Sequence, residues 1–207
     1  MIKKEWILQK ALEQFNERGY SEVGVRELAR MLEISPGNLS YHFSKKEDIL
    51  IALLEQFSAR NSSFYEHYLT LSPTNAHFLE LMEKIFNSQY EYRGVYIGNQ
   101  YVRTELQSQD RFDYQSIATK RASTFQKIFQ GLDAAGQLRV NGEDIAFLVA
   151  HITLFGRFWI SEATLFTKFP DKNKTIRHYL FLLAKQLSLF ATEQGKKSIE
   201  EFSRGMS

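Results

Sequence analysis

Residues that interrupt helices are scarce in this chain, and this scarcity constrains its fold more than any other feature. Three prolines and eleven glycines occur among 207 residues, well below the share of roughly 12% that the two types have in average proteins. Apolar side chains recur three and four positions apart along nearly the whole chain, as on one face of a helix. No repeat and no low-complexity segment interrupts this pattern. The sequence therefore predicts an all-α fold.

The composition is that of a folded protein and agrees with a reducing compartment. Hydrophobic residues make up 43% of the chain and charged residues 24%, which excludes disordered and collagen-like architectures. The chain has no cysteine, so disulfides, thiolate zinc sites and cysteine nucleophiles are ruled out. The basic residues near the start are not followed by the apolar stretch of a signal peptide. We expect a cytoplasmic protein.

Neither apolar stretches nor bulk charge identify a partner. The most apolar stretch, residues 145–160, is broken by His151 and Arg157 and is too short for a membrane span, so we expect no membrane role. The net charge is +2, and residues 1–50 carry as many basic as acidic side chains. A nucleic-acid partner must therefore be argued from the positions of the charges and not from their sum.

The first 50 residues predict three short helices before a long one. An apolar stripe ends at Arg18-Gly19, and a second stripe follows from Val25 to Leu32. Ser35-Pro36 is a typical helix start, with serine as N-cap and proline in the first turn. Ser44 to Glu47 has the pattern of a capping box, which would open the long helix.

The remaining chain predicts further helices. We expect them at about 111–135, 143–167 and 175–193, with the last dozen residues frayed. Residues 90–109 give a mixed signal and are predicted as irregular helix.

Two short helices joined by a tight turn, 25–32 and 36–43, have the spacing of a helix-turn-helix. With Leu39 and Phe43 facing inward, the outer face of the second helix carries polar, aromatic and small residues. Asn38 suits a base edge in a major groove, and Ser40 and Tyr41 suit phosphates. Two lysines, 45 and 46, then stand at a helix start, where they oppose the helix dipole unless a phosphate is bound there.

The segment GYSEVGVRELARMLEISPGNLSYHFSKKEDIL resembles the DNA-binding segment of TetR-type (TetR/AcrR) bacterial repressors. Its glycine-aromatic pair, its V-R-E-L-A helix, its G-x-L-x-Y-H-F helix and its K-E-D-I-L start all have the family spacing. Gly24 and Pro36 depart from it, because the family often has threonine and a polar residue there. The resemblance implies that the DNA contacts are Arg26, Pro36, Gly37, Asn38, Ser40, Tyr41, His42, Lys45 and Lys46.

The same resemblance implies two domains, a helix-turn-helix domain over residues 1–50 and a helical domain over 51–207 that binds a small effector and forms a homodimer. Residues 145–160 and 178–191 are apolar on nearly all sides, so they need cover that one monomer of this size hardly supplies. A dimer would bring two recognition helices to one duplex and would require a palindromic operator. The expected interface residues are Phe147, His151, Leu154, Phe158, Leu180, Leu183 and Leu187.

The effector residues are a separate expectation. Aromatic walls with a few polar groups suit an apolar or aromatic ligand. The alternative is that these side chains are core residues, which is the usual role of aromatic side chains. Aromatic residues make up 14% of the chain. The expected effector contacts are Tyr90, Tyr96, Asn99, Arg103, Phe125, Phe129, Phe155 and Trp159.

No motif for catalysis or metal binding is found in the sequence. It contains no G-x-S-x-G, Walker A, dinucleotide-binding or H-E-x-x-H pattern, and its five histidines include no pair four residues apart. We therefore expect no enzyme activity, no cofactor and no metal. The family resemblance implies a ligand-released repressor of transcription; the alternative is a helical DNA-binding or interaction protein that responds to a protein partner without a small-molecule ligand.

Overall fold

The computed structural model describes residues 4–96, 102, 104, 112–165 and 171–205. Within these residues the chain forms helices and no strand, which confirms the predicted all-α class. The predicted helices at about 111–135, 143–167 and 175–193 correspond to the observed helices Tyr114–Ala134, Gly142–Ala163 and Lys172–Ser188. The helices are α1 Lys4–Arg18, α2 Val25–Met31, α3 Pro36–His42, α4 Lys46–Tyr68, α5 Asn75–Glu91, α6 Tyr114–Ala134, α7 Gly142–Ala163, α8 Lys172–Ser188 and α9 Glu193–Gly205.

The two predicted N-caps have different outcomes. The Ser35 hydroxyl accepts a hydrogen bond from the Asn38 amide at 3.1 Å, which confirms the start of α3. The capping box at Ser44 is displaced by one residue, because the amide of Lys45 donates to Asp48 Oδ2 at 3.0 Å and α4 begins at Lys46. An aspartate therefore takes the role that the sequence assigned to Glu47.

The C-terminal segment is helical, so the prediction of a frayed end is wrong. Helix α9 buries Ile199 and Phe202, three residues apart, together with Gly195 and Ser198. An isolated bridge between Leu138 and Ala191 fixes the chain just before this helix. Charged residues surround this narrow apolar stripe and obscured it in the sequence.

The mixed segment at 90–109 is described only in part. Helix α5 ends at Glu91, a turn follows through Val95, and Val102 and Thr104 are helical. The predicted effector contacts Asn99 and Arg103 lie outside the described residues.

The chain divides into two compact units. The N-terminal unit comprises Met1–Arg60 and Ser88–Asp113, and the C-terminal unit comprises Asn61–Asn87 and Tyr114–Ser207. Helices α4 and α5 contribute residues to both units. The sequence boundary after residue 50 stays a prediction, but the N-terminal unit also contains a segment that is distant in sequence.

The core of the N-terminal unit joins α1 to α4 with that distant segment. Phe15, Leu28 and Leu39 are fully buried in one cluster, and Val95 and Val102 belong to the same cluster. Burial of such side chains contributes about 1.5–3 kcal/mol each. The segment after α5 is thus part of the apolar core that supports the helix-turn-helix.

The core of the C-terminal unit is aromatic with one buried polar node. Phe78 and Phe129 pack with ring centroids 5.5 Å apart, and Phe86 lies 5.0 Å from Trp159. The side chain of Asn75, at the start of α5, donates to the carbonyl oxygens of Gln137 and Gly195 at 3.4 and 3.2 Å. This node ties the start of α5 to the turn before α7 and to α9.

Candidate nucleic-acid interface

The turn of the helix-turn-helix has the backbone of a Schellman motif. The amide of Ile34 donates to the Ala29 carbonyl, and the amide of Glu33 donates to the Arg30 carbonyl. Glu33 has φ +54°, the left-handed conformation that this motif requires and that glycine usually supplies. The motif ends α2 and turns the chain sharply into α3.

Helix α3 is supported from one side and open on the other. Leu39 is the buried residue of this helix, and Phe43 at its C-cap is also buried. Tyr41 is 85% exposed. His42 is half-buried, and its ring meets the Tyr41 ring edge to face at 5.1 Å. The structure therefore brings five of the predicted contacts to one exposed surface: Pro36, Gly37, Asn38, Ser40 and Tyr41.

The side chains of the predicted cationic contacts differ in their exposure to solvent. Arg26 and Lys45 are exposed. Lys46 is half-buried, because its ammonium group donates to the Tyr20 carbonyl at 2.9 Å and lies 4.1 Å from the Tyr20 ring centroid. Lys46 thus holds the start of α4 to the start of the α1–α2 connection, and a phosphate would have to share its ammonium group.

Two further cations near the helix-turn-helix were not predicted. Arg30 has a side chain that is 77% exposed, and its ion pair with Glu27 is long, at 3.9 Å. Its position four residues after Arg26, on the same face of α2, is the signal that the sequence offered. Lys4 places its ammonium group 4.9 Å from the Phe43 ring centroid, a long-range contact with no local signal.

The described members of the predicted effector set divide between the two units. Tyr90 and Tyr96 belong to the N-terminal unit, where the Tyr96 hydroxyl accepts from Gln89 Nε2 at 2.9 Å. The other described residues of this set belong to the C-terminal unit: Phe125, Phe129, Phe155 and Trp159.

These four aromatic side chains pack against other rings of the C-terminal unit. Phe125 meets Tyr65 edge to face at 5.6 Å and Phe129 at 6.4 Å. Phe155 and Trp159 lie 5.8 and 5.2 Å from the Tyr179 ring. The contacts agree with the alternative role as core residues, and they also form an aromatic wall.

Two tyrosines of α4 add buried hydroxyl groups to this unit, and the sequence did not predict them. Burial raises the pKa of Tyr65 far above its usual value, although the nearby Arg121 guanidinium acts in the opposite direction. Burial likewise raises the pKa of Tyr68. The Tyr68 hydroxyl has no hydrogen-bond partner among the described residues. It is a neutral buried group that can still donate one hydrogen bond.

Helices α7 and α8 expose large apolar side chains. Phe147, Leu154 and Phe158 of α7 are exposed large apolar side chains, and their place at an interface stays a prediction. His151 lies between the Phe147 and Phe155 rings, with centroids 5.9 and 5.7 Å away, and its burial lowers its pKa. By length and composition α7 could cross a membrane, but one such helix does not indicate a membrane protein.

Helix α8 presents a different face from the one that the sequence assigned. Leu180, Leu183 and Leu187 are at most 2% exposed and pack inside their own unit, so they leave no surface for a partner. The exposed apolar residues at this end of the chain are Phe181, Leu182 and Leu189. Together with Phe147, Leu154 and Phe158 they form what we call the apolar face.

Comparison with known proteins gives the class. A family model for bacterial regulatory proteins of the tetR family matches residues 7–53, and a model described as a bacterial transcriptional repressor matches residues 56–198. A TetR-family regulator from Marinobacter aquaeolei VT8 has the same fold, with a TM-score of 0.86 and 20% identity over 100% of this chain and 99% of that one. The ketosteroid transcriptional regulator KstR2 of Mycobacterium tuberculosis gives a TM-score of 0.73 and 20% identity over 92% and 95%.

A curated relative supports the same class over a shorter length. The chain is 27% identical over 93 residues to a protein named as a probable HTH-type transcriptional regulator, YttP, of Bacillus subtilis (strain 168). This match covers 44% of the chain and spans 45% of that relative.

Fold, helix-turn-helix and comparisons together define a DNA-binding transcriptional regulator and not an enzyme. Because the two family models cover most of its length, the chain belongs to the TetR family of bacterial regulators. Regulators of this family bind DNA.

Proposed function

We propose that this chain is a cytoplasmic repressor that binds a palindromic operator as a homodimer and is released by a small apolar or aromatic effector. One observation carries the DNA-binding part of the proposal. Helix α3 buries Leu39 and turns its exposed face, including the 85% exposed Tyr41, toward solvent. Such a helix, held by the Ser35 cap and the Glu33 turn, suits insertion into a major groove.

The exposed residues of α3 divide by chemistry. Asn38 has the donor and acceptor pair that matches adenine, so we assign it to base recognition. Ser40 and Tyr41 have hydroxyl groups for phosphates, and Gly37 allows close approach of the backbone. Outside α3, the remaining phosphate contacts in this proposal are Arg26, Lys45 and Lys46.

The homodimer rests on the apolar face of α7 and α8. Large exposed side chains such as Leu154 and Phe181 on neighbouring helices are unusual for a soluble monomer. A second copy, related by a two-fold axis, would cover this face with an identical one. The same arrangement supplies two recognition helices for one palindrome.

The effector site belongs, in this proposal, to the C-terminal unit. Phe125, Phe129, Phe155 and Trp159 supply the aromatic wall, and the Tyr68 hydroxyl supplies one buried donor. A buried polar group without a partner costs free energy, and an acceptor on the effector would relieve that cost. An effector that prefers a form unable to bind the operator would release it by population shift.

The test begins with a pool of duplexes of random sequence, from which the protein selects its own target. We expect a palindromic duplex whose binding weakens steeply as salt rises, because Lys and Arg contacts release counterions. Lys45→Ala should lower the slope of log affinity against log salt by about one. Lys127→Ala, which removes an exposed lysine of α6 in the C-terminal unit, is the matched control and should leave the slope unchanged.

Selection of no duplex, or binding that is insensitive to salt, would contradict the proposal. Equal slopes for the wild type and Lys45→Ala would remove Lys45 from the contacts. Asn38→Ala should relax the base preference more than it weakens binding to random DNA.

A further inference from the structure

The side chain of Asn16 holds the turn that follows α5 on α1. Asn16 Nδ2 donates to the Glu91 carbonyl at 2.7 Å, and the Gly94 amide donates to Asn16 Oδ1 at 2.7 Å. Glu91 is the last residue of α5, where carbonyl groups lack partners within the helix. Asn16 therefore caps α5 from another helix and fixes the turn beyond it.

Gly94 brings the two backbones into direct contact. A Cβ atom at this position would lie 2.3 Å from the carbonyl carbon and oxygen of Phe15 and 2.5 Å from the Asn16 nitrogen. Backbone atoms of a helix cannot yield to such an overlap, so no side chain larger than hydrogen fits here. The next residue, Val95, is fully buried in the core of the N-terminal unit.

The same turn is also held by α4. Phe57 places its ring 5.4 Å from the Tyr92 ring and 5.6 Å from the Tyr96 ring. Arg60 forms an ion pair with the Glu91 carboxylate. Residues 91–96 therefore connect α1 with α4 inside the N-terminal unit.

Helix α1 in turn contacts both helices of the helix-turn-helix, α2 and α3. Arg18 pairs with Glu27 of α2 at 2.8 Å, and Lys4 lies over the ring of Phe43 at the end of α3. A change in the position of α1 would therefore reach both helices of the helix-turn-helix.

We propose that Asn16 is a positioning residue for operator binding. Its two side-chain hydrogen bonds, which we call the latch, hold α1 to residues 91–96. Through α1, the latch keeps α3 in the orientation that fits the groove. This inference rests on the proposed function and adds to it a segment outside the residues matched to the DNA-binding family model. Without the latch α3 occupies more orientations, and the apparent affinity falls with the fraction that is competent.

The chemistry of the latch is specific to asparagine. Its amide carries a donor and an acceptor on one short planar group, and both are used here. Aspartate keeps an acceptor for the Gly94 amide but places a carboxylate against the Glu91 carbonyl. Alanine leaves the Glu91 carbonyl and the Gly94 amide without this partner.

The experiment compares Asn16→Ala and Asn16→Asp with the wild type. Asn87→Ala is the matched control, because Asn87 is also half-buried and its Nδ2 donates to a carbonyl, that of Glu83, within its own helix at 3.0 Å. Binding is measured to the selected duplex and to a random-sequence duplex of equal length. Exchange of the Gly94 amide proton reports whether the latch is closed.

We expect the two Asn16 variants to bind the selected duplex roughly tenfold more weakly, since the latch supplies two partly buried hydrogen bonds. Binding to random DNA should change less than about twofold, because phosphate contacts demand less precise orientation. The Gly94 amide should exchange faster in Asn16→Ala, and Asn87→Ala should behave as the wild type.

Two results would overturn the latch. One is unchanged affinity for the selected duplex in Asn16→Ala while the Gly94 amide exchanges faster. The other is equal loss for selected and random DNA, which would mean general destabilisation. If Asn16→Ala does not fold, Asn16→Asp decides instead. The deciding quantities are its affinity relative to the wild type for the selected duplex and for random DNA. If the wild type selects no duplex at all, the proposed function has failed and not the latch.

Discussion

The apolar face makes a quantitative prediction about the dimer, and Leu154 tests it best. Its side chain is 61% exposed, and along α7 it stands between Phe147 and Phe158. Leu69, just after α4, is also 61% exposed but lies outside the apolar face. The same change to alanine at the two positions therefore separates interface burial from the general effect of a smaller side chain.

The expected magnitude follows from the exposed fraction. Leu154→Ala removes three carbon atoms, and each buried methylene contributes about 0.8 kcal/mol. Because 61% of this side chain remains to be covered, the loss is about 1.5 kcal/mol per copy. A two-fold interface contains the residue twice, so the dimer loses about 3 kcal/mol, a rise of roughly a hundredfold in its dissociation constant.

Sedimentation across a dilution series measures this constant directly. We expect Leu154→Ala to dissociate at roughly a hundredfold higher concentration than the wild type, and Leu69→Ala to match the wild type. A Leu154→Ala dimer as strong as that of the wild type would refute the argument, and so would equal weakening by Leu69→Ala. Either result would place the dimer contacts elsewhere on the chain.

Two further predictions concern the C-terminal unit. A Cβ atom on Gly195 would lie 1.9 Å from the Gln137 carbonyl oxygen, so Gly195→Ala should lower the melting temperature by several degrees. Gly142→Ala is the control and should not lower it, because a Cβ atom there would have nothing within 4 Å. Equal melting temperatures for the two variants would contradict the close packing of α9. Burial lowers the pKa of His151 below its usual 6.5. The part of the folding stability that depends on neutral His151 is therefore fully present above pH 6.5 and is lost as the pH falls through the lowered pKa. His151→Leu should therefore lose less stability than the wild type as the pH falls below 6.5, with exposed His67→Leu as the control. Identical pH profiles for His151→Leu and the wild type would contradict this prediction.

The helix-turn-helix was predictable because its signals are local. The Ser35 cap, the first-turn proline and the spacing of Leu39 and Phe43 all act within a few residues. The turn itself was less visible, because Glu33 takes the left-handed conformation where glycine is expected. That conformation is maintained by two backbone hydrogen bonds to the end of α2.

The latch could not be predicted, because its partners are far apart in sequence. Asn16 and Gly94 are separated by 78 residues, and neither carries a local signal of the contact. In the sequence, Gly94 is only one residue of the mixed segment at 90–109. The glycine is required by the approach of another backbone, which is a property of the folded unit.

The face of α8 was predicted wrongly for a reason that periodicity cannot remove. Residues 178–191 are apolar on nearly all sides, so the sequence does not say which side faces the core. Packing decides it, since Leu180, Leu183 and Leu187 follow the spacing of one helix face and leave Phe181 and Leu182 exposed. Truncating Leu187 would therefore damage the fold of the protomer, whereas truncating Phe181 would damage only a surface. An interface on this helix must be tested at Phe181 and Leu182, because only at those positions can a weaker dimer be separated from a weaker protomer.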